Sequence, residues 1–271
     1  MAIGNGIGLP FTSMGGGGGG ASYPIDSLTD TTNLVGSWSV EKAFASTYAD
    51  TNAILGARMF TSGVDRNFTG DSVEAGDVAT WNTDTKAVIT DMYDQSGNGN
   101  DWSTTILSRM PVYIDTTQVT MNNGSRAMEM INGYGLEKTA LGLNGTDGVV
   151  LLKIKGGADI SYRFLWKAGN DAPFITFVGN TSDCFQDVGN PDYEVNGSVM
   201  TPKTRGELHT QTSGNDVVLA ITNIDWTADA TWATATLQLA YQGDPKVSSI
   251  TIWKAAPPAV DLATMISAYA L

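Results

Sequence analysis

Short apolar runs separated by polar, turn-forming clusters set the rhythm of this chain. Runs rich in β-branched and aromatic residues span Ile54 to Phe60, Ala87 to Tyr93, Ala127 to Ile131, Val149 to Ile154, Phe174 to Val178, Val217 to Ile224, Thr236 to Tyr241 and Ser249 to Trp253. Between them lie Gly/Asn/Asp clusters such as NNGS, LNGTDG and TSGND. Many short strands with such punctuation and no intervening helices predict an all-β, antiparallel, jelly-roll-like sandwich from about residue 34 to 271. Two runs, VVLLKI and VVLAI, are apolar at consecutive positions, which expects central strands covered on both faces.

A short helix is expected near each end of the sandwich. At the first, Ser39 would cap, Glu41 would sit in the first turn, and Val40, Ala43, Phe44 and Tyr48 would share a face. At the second, VDLATMISAYAL, Asp261 would cap and Leu262, Met265, Ile266 and Tyr269 would form the buried stripe. No repeat of solenoid or propeller period appears.

Residues 1–26 differ from the rest. Gly15 to Gly20 are six consecutive glycines, whose ordering entropy an isolated chain cannot offset. Ahead of them, Ile3, Ile7, Leu9 and Phe11 make an apolar peptide unlike a solvated tail. A sticky segment on a glycine tether suits an arm that docks on another protein; a plain flexible linker is the alternative. The expected division is therefore an arm, 1–26, and a sandwich domain, 27–271. Convergence of such arms around an axis expects a homo-oligomer, most simply a trimer.

Composition narrows the chemistry. Charged residues are only 16% of the chain, against about 25% in ordinary globular domains, and the net charge is −13. That charge argues against nucleic acid and anionic membranes as partners. Cys184 is the only cysteine, so neither an internal disulfide nor a thiolate metal cage is available. His209 is the only histidine and lies in a polar run, which reads as a surface position rather than a catalytic one. A Ser-His-Asp or Cys-His arrangement is not indicated, and a His-rich zinc site is excluded by count. No signal-peptide pattern and no stretch of about 20 apolar residues is seen, so a soluble product made in the cytosol without membrane insertion is expected. Asn67, Asn144 and Asn196 stand in Asn-x-Ser/Thr triplets, which carry no weight without secretion.

One loop stands out: YDQSGNGND, residues 93 to 101. Asp94, Asn98 and Asn100 can form Asx-turns on their own backbone, and Gly97 and Gly99 can take positive φ. Tyr93 and Trp102 bracket the loop and would plant its ends in the core, with Gln95 inside it. Asp94 and Asp101 could also offer oxygens to a hard cation such as Ca²⁺, although EF-hand spacing is absent. No other cofactor is expected.

The segment AFASTYADTNAILGARMF…AVITDMYDQSGNGNDW resembles the amino-terminal part of the arabinofuranosidase B catalytic domain. It is also similar to LamG-like, concanavalin A-type sandwich domains of phage tail and virion proteins, where a Pro-initiated strand follows, here Met110-Pro111-Val112-Tyr113. The resemblance covers residues 38 to about 135 well and the remainder only in architecture. On the enzyme side it implies a glycosidase, which needs two carboxyl groups flanking the bond. The family enzymes pack two adjacent cysteines against the sugar, however, and this chain has one cysteine in all. Asp147, before VVLLK, is the nearest acidic candidate.

Glycan binding without chemistry would need an exposed aromatic platform beside amides and carboxylates. Trp81, Trp166, Trp226, Trp232 and Tyr193 are candidates, and Trp226 and Trp232, flanked by TADAT, look the least core-like. Asp94, Asn100, Asp101, Trp226 and Trp232 are thus the expected ligand-binding set. The resulting expectation is a structural virion protein without enzymatic activity: a capsid decoration, head fibre or tail appendage on the virion surface. Its partners would be a major capsid or tail protein and host surface glycans. A carbohydrate-binding or arabinofuranosidase-like module is the alternative.

Overall fold

The computed structural model describes residues 24–42, 51–130, 135–157, 161–167, 173–178, 182–185, 187–239 and 245–270. The arm residues Ile3, Ile7, Leu9 and Phe11 lie outside the described residues. The principal strands are β1 (Leu34–Ser39), β2 (Ala53–Met59), β3 (Asp65–Thr69), β4 (Lys86–Met92), β5 (Trp102–Ser103), β6 (Val112–Asp115) and β7 (Glu137–Thr139). They continue with β8 (Gly148–Lys155), β9 (Ser161–Lys167), β10 (Pro173–Val178), β11 (Asp192–Val195), β12 (Asp216–Ile224), β13 (Thr236–Gln238) and β14 (Lys246–Trp253).

All pairings between these strands are antiparallel, and they build two layers. One runs β1-β14-β8-β12-β11. The other runs β3-β2-β4-β5-β7-β13-β9-β10, with β6 beside the first half of β4. The short strand Met128–Glu129 pairs with both β6 and β14 and so ties the layers together. The all-β antiparallel sandwich expected from the pattern is what forms.

Strand alternation explains the doubly apolar runs. Val150, Leu152 and Ile154 of β8 and Val217, Leu219 and Ile221 of β12 face the core between the layers, with Leu55, Ala57 and Ile89 from the other sheet. Val149 and Leu151, with Val218 and Ala220, face outward under the C-terminal helix, where Met265 and Tyr269 cover them. The outer face of the second layer has its own smaller cluster, built from Val88, Met110, Val112, Val119, Met121 and Ala127.

Four α-helices, α1 (Gly70–Glu74), α2 (Asp77–Trp81), α3 (Arg205–Thr212) and α4 (Ala259–Tyr269), are described. The first three correct the expectation of no helices between the strands; all are short and sit in connections. Ser39 is also corrected. It ends β1 instead of capping a helix, and its Oγ accepts from the Glu41 N–H at 3.2 Å. Most of the expected first helix (43–50) lies outside the described residues.

Asp261 is not the cap of α4 either, since the helix starts at Ala259 after Pro258. Its carboxylate, 1% exposed, instead accepts from the Thr29 N–H and hydroxyl and the Asp30 N–H, each at 3.0 Å. A position in the first helical turn is favourable for an anion in any case. The long-range clamp on residues 29–30 is the extra role that only the fold supplies. His209 is half-buried on α3 rather than on the open surface, with Nε2 shielded from solvent.

Candidate functional site

Among the described residues, strand β1 is paired on one side only, with β14. Its free edge would leave backbone groups unsatisfied. The 93–101 loop meets that edge with side chains in place of a neighbouring strand. The Asp94 carboxylate accepts from the Ser37 N–H at 3.0 Å, and the Gln95 N–H donates to the Ser37 carbonyl at 2.8 Å. Gln95 Nε2 donates to the Ser39 carbonyl at 3.0 Å, Asn98 Nδ2 to that of Leu34 at 2.8 Å and Asn100 Nδ2 to that of Val35 at 2.6 Å.

Asp94 also forms the expected Asx-turn onto the Ser96 N–H, but Asn98 and Asn100 spend their amides on β1 rather than on their own backbone. Gly97 (φ 83°) and Gly99 (φ 73°) supply the left-handed bends that bring these side chains round. Trp102 is fully buried and packs edge-to-face on Trp38, with centroids 5.7 Å apart; the Trp38 indole N–H donates to the Asn100 carbonyl at 2.8 Å. Tyr93 is only half-buried, and burial, with Asp91 and Asp101 nearby, pushes its phenol above the ordinary value.

At the outer end of this loop the strand pairing opens a polar cleft of about 490 Å³. Asp101, at the end of the loop, and Glu137, on β7, both line it, with Ser103, Thr104, Thr105 and Thr139. Ile106, 43% exposed, adds one apolar face. Asp101 Oδ1 accepts from the Asp94 N–H at 2.8 Å. Glu137 Oε1 accepts from Arg109 Nη1 at 2.8 Å and Gln238 Nε2 at 2.6 Å. Register places Ser103 opposite Glu137, and Glu137 opposite Gln238.

Residues far apart in the chain are therefore brought onto one wall by β5, β7 and β13. Glu137 and Gln238 carry no sequence signal of their own, because strand pairing alone unites them with Asp101, and Arg109 reaches Glu137 from the 3₁₀ turn Leu107–Arg109. Such a cleft can bind a polyhydroxylated molecule through hydroxyls and carboxylates, and two carboxyl groups can exchange protons with it.

The other expected ligand residues are placed elsewhere. Asp94 is 0% exposed and committed to backbone donors, and the Asn100 amide is committed to β1. Asp147 is exposed in the turn before β8 and does not line the cleft. Trp226 and Trp232, expected as an exposed platform, are each 1% exposed.

They pack edge-to-face at 5.6 Å, and Trp232 Nε1 donates to the Asp187 carbonyl at 2.8 Å. The reason is local: Asp225 and Asp229 each accept from the N–H two residues on, starting successive 3₁₀ turns that fold both indoles inward. The spacing Asp-x-Thr, twice, was the sequence signal for this. A Cβ on Gly148 would lie 2.0 Å from Trp226 Nε1, so that glycine makes room for the indole. Tyr193 is fully buried and Trp81 packs on Phe68, so neither is a platform.

Lys167, 2% exposed, lies over the Trp232 ring at 4.8 Å and pairs with Asp229. Its ammonium, with the Thr231 donors, holds the Asp229 carboxyl down at about 2, from 3.8. Because the folded value is the lower one, the stabilisation is complete above about pH 4 and is lost as the pH falls from there to about 2. Asp229→Asn should therefore cost about 1 kcal/mol near neutrality, discounted for an exposed flank, and nothing near pH 2. Thermal unfolding of both proteins from pH 7 to 2 measures this; a gap independent of pH would refute it.

Among the described residues no group of three or more His, Cys, Asp or Glu is arranged to hold a metal ion. The carboxylates of the loop, Asp94 and Asp101, face N–H and O–H donors.

No protein-family model and no curated protein matches the chain. Solved structures do match in fold. A mutant GH54 α-L-arabinofuranosidase soaked with 4-nitrophenyl α-L-arabinofuranoside aligns with TM-score 0.50 at 12% identity, over 87% of this chain and 62% of that one. An arabinofuranosidase complexed with arabinofuranosyl-α-1,2-xylobiose aligns with TM-score 0.52, also at 12% identity and with the same coverage. The chain thus spans less than two thirds of those proteins. The likeness in fold extends well past residues 38–135. Against the expectation of a protein without enzymatic activity, the solved structures that this chain matches are arabinofuranosidases; the likeness itself shows the fold.

Proposed function

We propose that this protein is a carbohydrate-active sandwich of the arabinofuranosidase type, which holds a glycoside in the polar cleft with Asp101 and Glu137 as its carboxyl pair. The observation that carries this reading is the convergence of two carboxyl groups from separate elements on one hydroxyl-lined cleft. Likeness in fold to arabinofuranosidases supports it. Glycosidases work with two carboxyl groups, one exchanging a proton with the leaving oxygen and one acting on the opposite face of the sugar. The test is release of nitrophenol from 4-nitrophenyl α-L-arabinofuranoside by the purified full chain, with calorimetric titration of arabinose oligosaccharides. Neither turnover nor binding at millimolar sugar would overturn the proposal.

The apolar peptide and glycine run of residues 1–20 favour a second, compatible element: attachment of the sandwich to a larger assembly such as a virion, as a trimer. Deleting residues 1–20 should then leave a folded monomer by analytical ultracentrifugation where the full chain is trimeric. A full chain that is itself monomeric and stays off particles would refute attachment.

A further inference from the structure

A second cavity, of about 370 Å³, lies on the outer face of the β1-β14-β8-β12-β11 layer, beside the last turn of α4. Val218, Ile266, Tyr269 and Ala270 form its apolar wall, and Lys153, Asn123, Asn196 and the Asp216 carboxylate line it as polar groups. Lys153 stands on β8 in phase with Val149 and Leu151, which are covered by α4. Alternation therefore points an ammonium at a face otherwise built from apolar groups.

That lysine is 5% exposed. Its Nζ makes one hydrogen bond, to Ser125 Oγ at 2.8 Å, and has no ion-pair partner among the described residues. Two carboxylates act on it from a distance, Glu41 and Asp216; the second lines the cavity itself, and both already accept from other donors. Glu41 accepts from the Arg126 N–H and Ser248 Oγ, and Asp216 from the N–H groups of Asn122 and Asn123. Burial accordingly pushes the amine below its ordinary value. An ammonium carries three donors, so two are left for whatever enters the cavity. A buried charge without a counter-charge is costly, and an anion that reached it would recover much of that cost.

The side-chain oxygens of Asn123 and Asn196 already accept backbone N–H groups, which leaves their amide NH₂ groups as further donors. Apart from Asp216, whose two oxygens are taken up by backbone N–H groups, the cavity is thus rich in donors at one end and apolar at the other. A single cation without an arginine fork, in a chain of net charge −13, suits one negative charge rather than two.

We propose that this cavity binds a small amphipathic carboxylate, its anionic head on Lys153 and its apolar body against Val218, Ile266 and Tyr269. The volume is at the small end for ligand pockets, room for an aromatic or short acyl acid. The site lies in the other layer from the Asp101–Glu137 cleft and stands independently of it.

The test uses the full chain with benzoate and hexanoate as probes, and benzyl alcohol and hexanol as their neutral counterparts. Binding is followed by titration calorimetry and by amide shifts at Val218 and Ile266. The acids should bind at least about tenfold more tightly than the alcohols, a difference of about 1.4 kcal/mol or more. Lys153→Met should abolish that preference and, by removing a buried charge, raise the melting temperature. Equal binding of acids and alcohols, undiminished acid binding by Lys153→Met, or no acid binding at millimolar concentration would each overturn the proposal.

Discussion

Asp94→Ala should lower the unfolding free energy by about 3 kcal/mol, a large effect for one loop residue. The carboxylate accepts four hydrogen bonds: from the Ser37 N–H, the Ser96 N–H and Oγ, and the Asn100 N–H. Ser37 is fully buried on the free edge of β1, so its N–H cannot turn to water when the acceptor is removed. An unsatisfied buried donor costs its full desolvation penalty, and the turn that positions Asn98 and Asn100 against β1 loosens with it. Asp94→Asn keeps one acceptor oxygen and should cost about half as much. Asn98→Ala, at the exposed tip, should cost under about 1 kcal/mol. Urea unfolding of the three variants measures the series. A loss below 1 kcal/mol for Asp94→Ala would mean that the loop does not hold the β1 edge.

Glu137→Gln should reduce turnover of an aryl arabinofuranoside by about a thousandfold or more, with KM little changed, if Glu137 and Asp101 are the working pair. The substitution keeps the shape of the side chain and removes its charge. It also turns one accepting oxygen into a donor facing the cleft or the donors of Arg109 and Gln238. Because Glu137 and Arg109 are partly exposed, at 32% and 27%, the stability cost should stay within about 1 kcal/mol. Loss of rate therefore separates chemistry from unfolding. Asp101→Asn should also lower kcat, and the double variant should be no slower than the worse single one, since groups that act as a unit are not additive. Wild-type kcat in both single variants would move the chemistry away from this cleft.

Much of the sandwich is legible in the chain because strand faces are written locally. The run GVVLLKIK alternates between two clusters, and only a strand covered on both sides tolerates that. The apolar stripe of α4 is equally local, with Met265 and Tyr269 buried a turn apart. Less of β1 is legible, since LVGSWS is followed by residues with helical spacing and its true partner, β14, lies more than two hundred residues on.

By itself the sequence determined the all-β class, the positions of many of the strands, the closing helix, and the exclusion of an internal disulfide, a thiolate metal cage and a His-rich zinc site. Tertiary structure alone decided which side chains meet. It buried Trp226 and Trp232, sent Asp261 to clamp Thr29, turned Asn98 and Asn100 onto β1, and set Glu137 beside Asp101. The physical reason is that a repeating pattern specifies the face a residue takes within its own element. What covers that face depends on pairing with distant segments, and no local period encodes that partner.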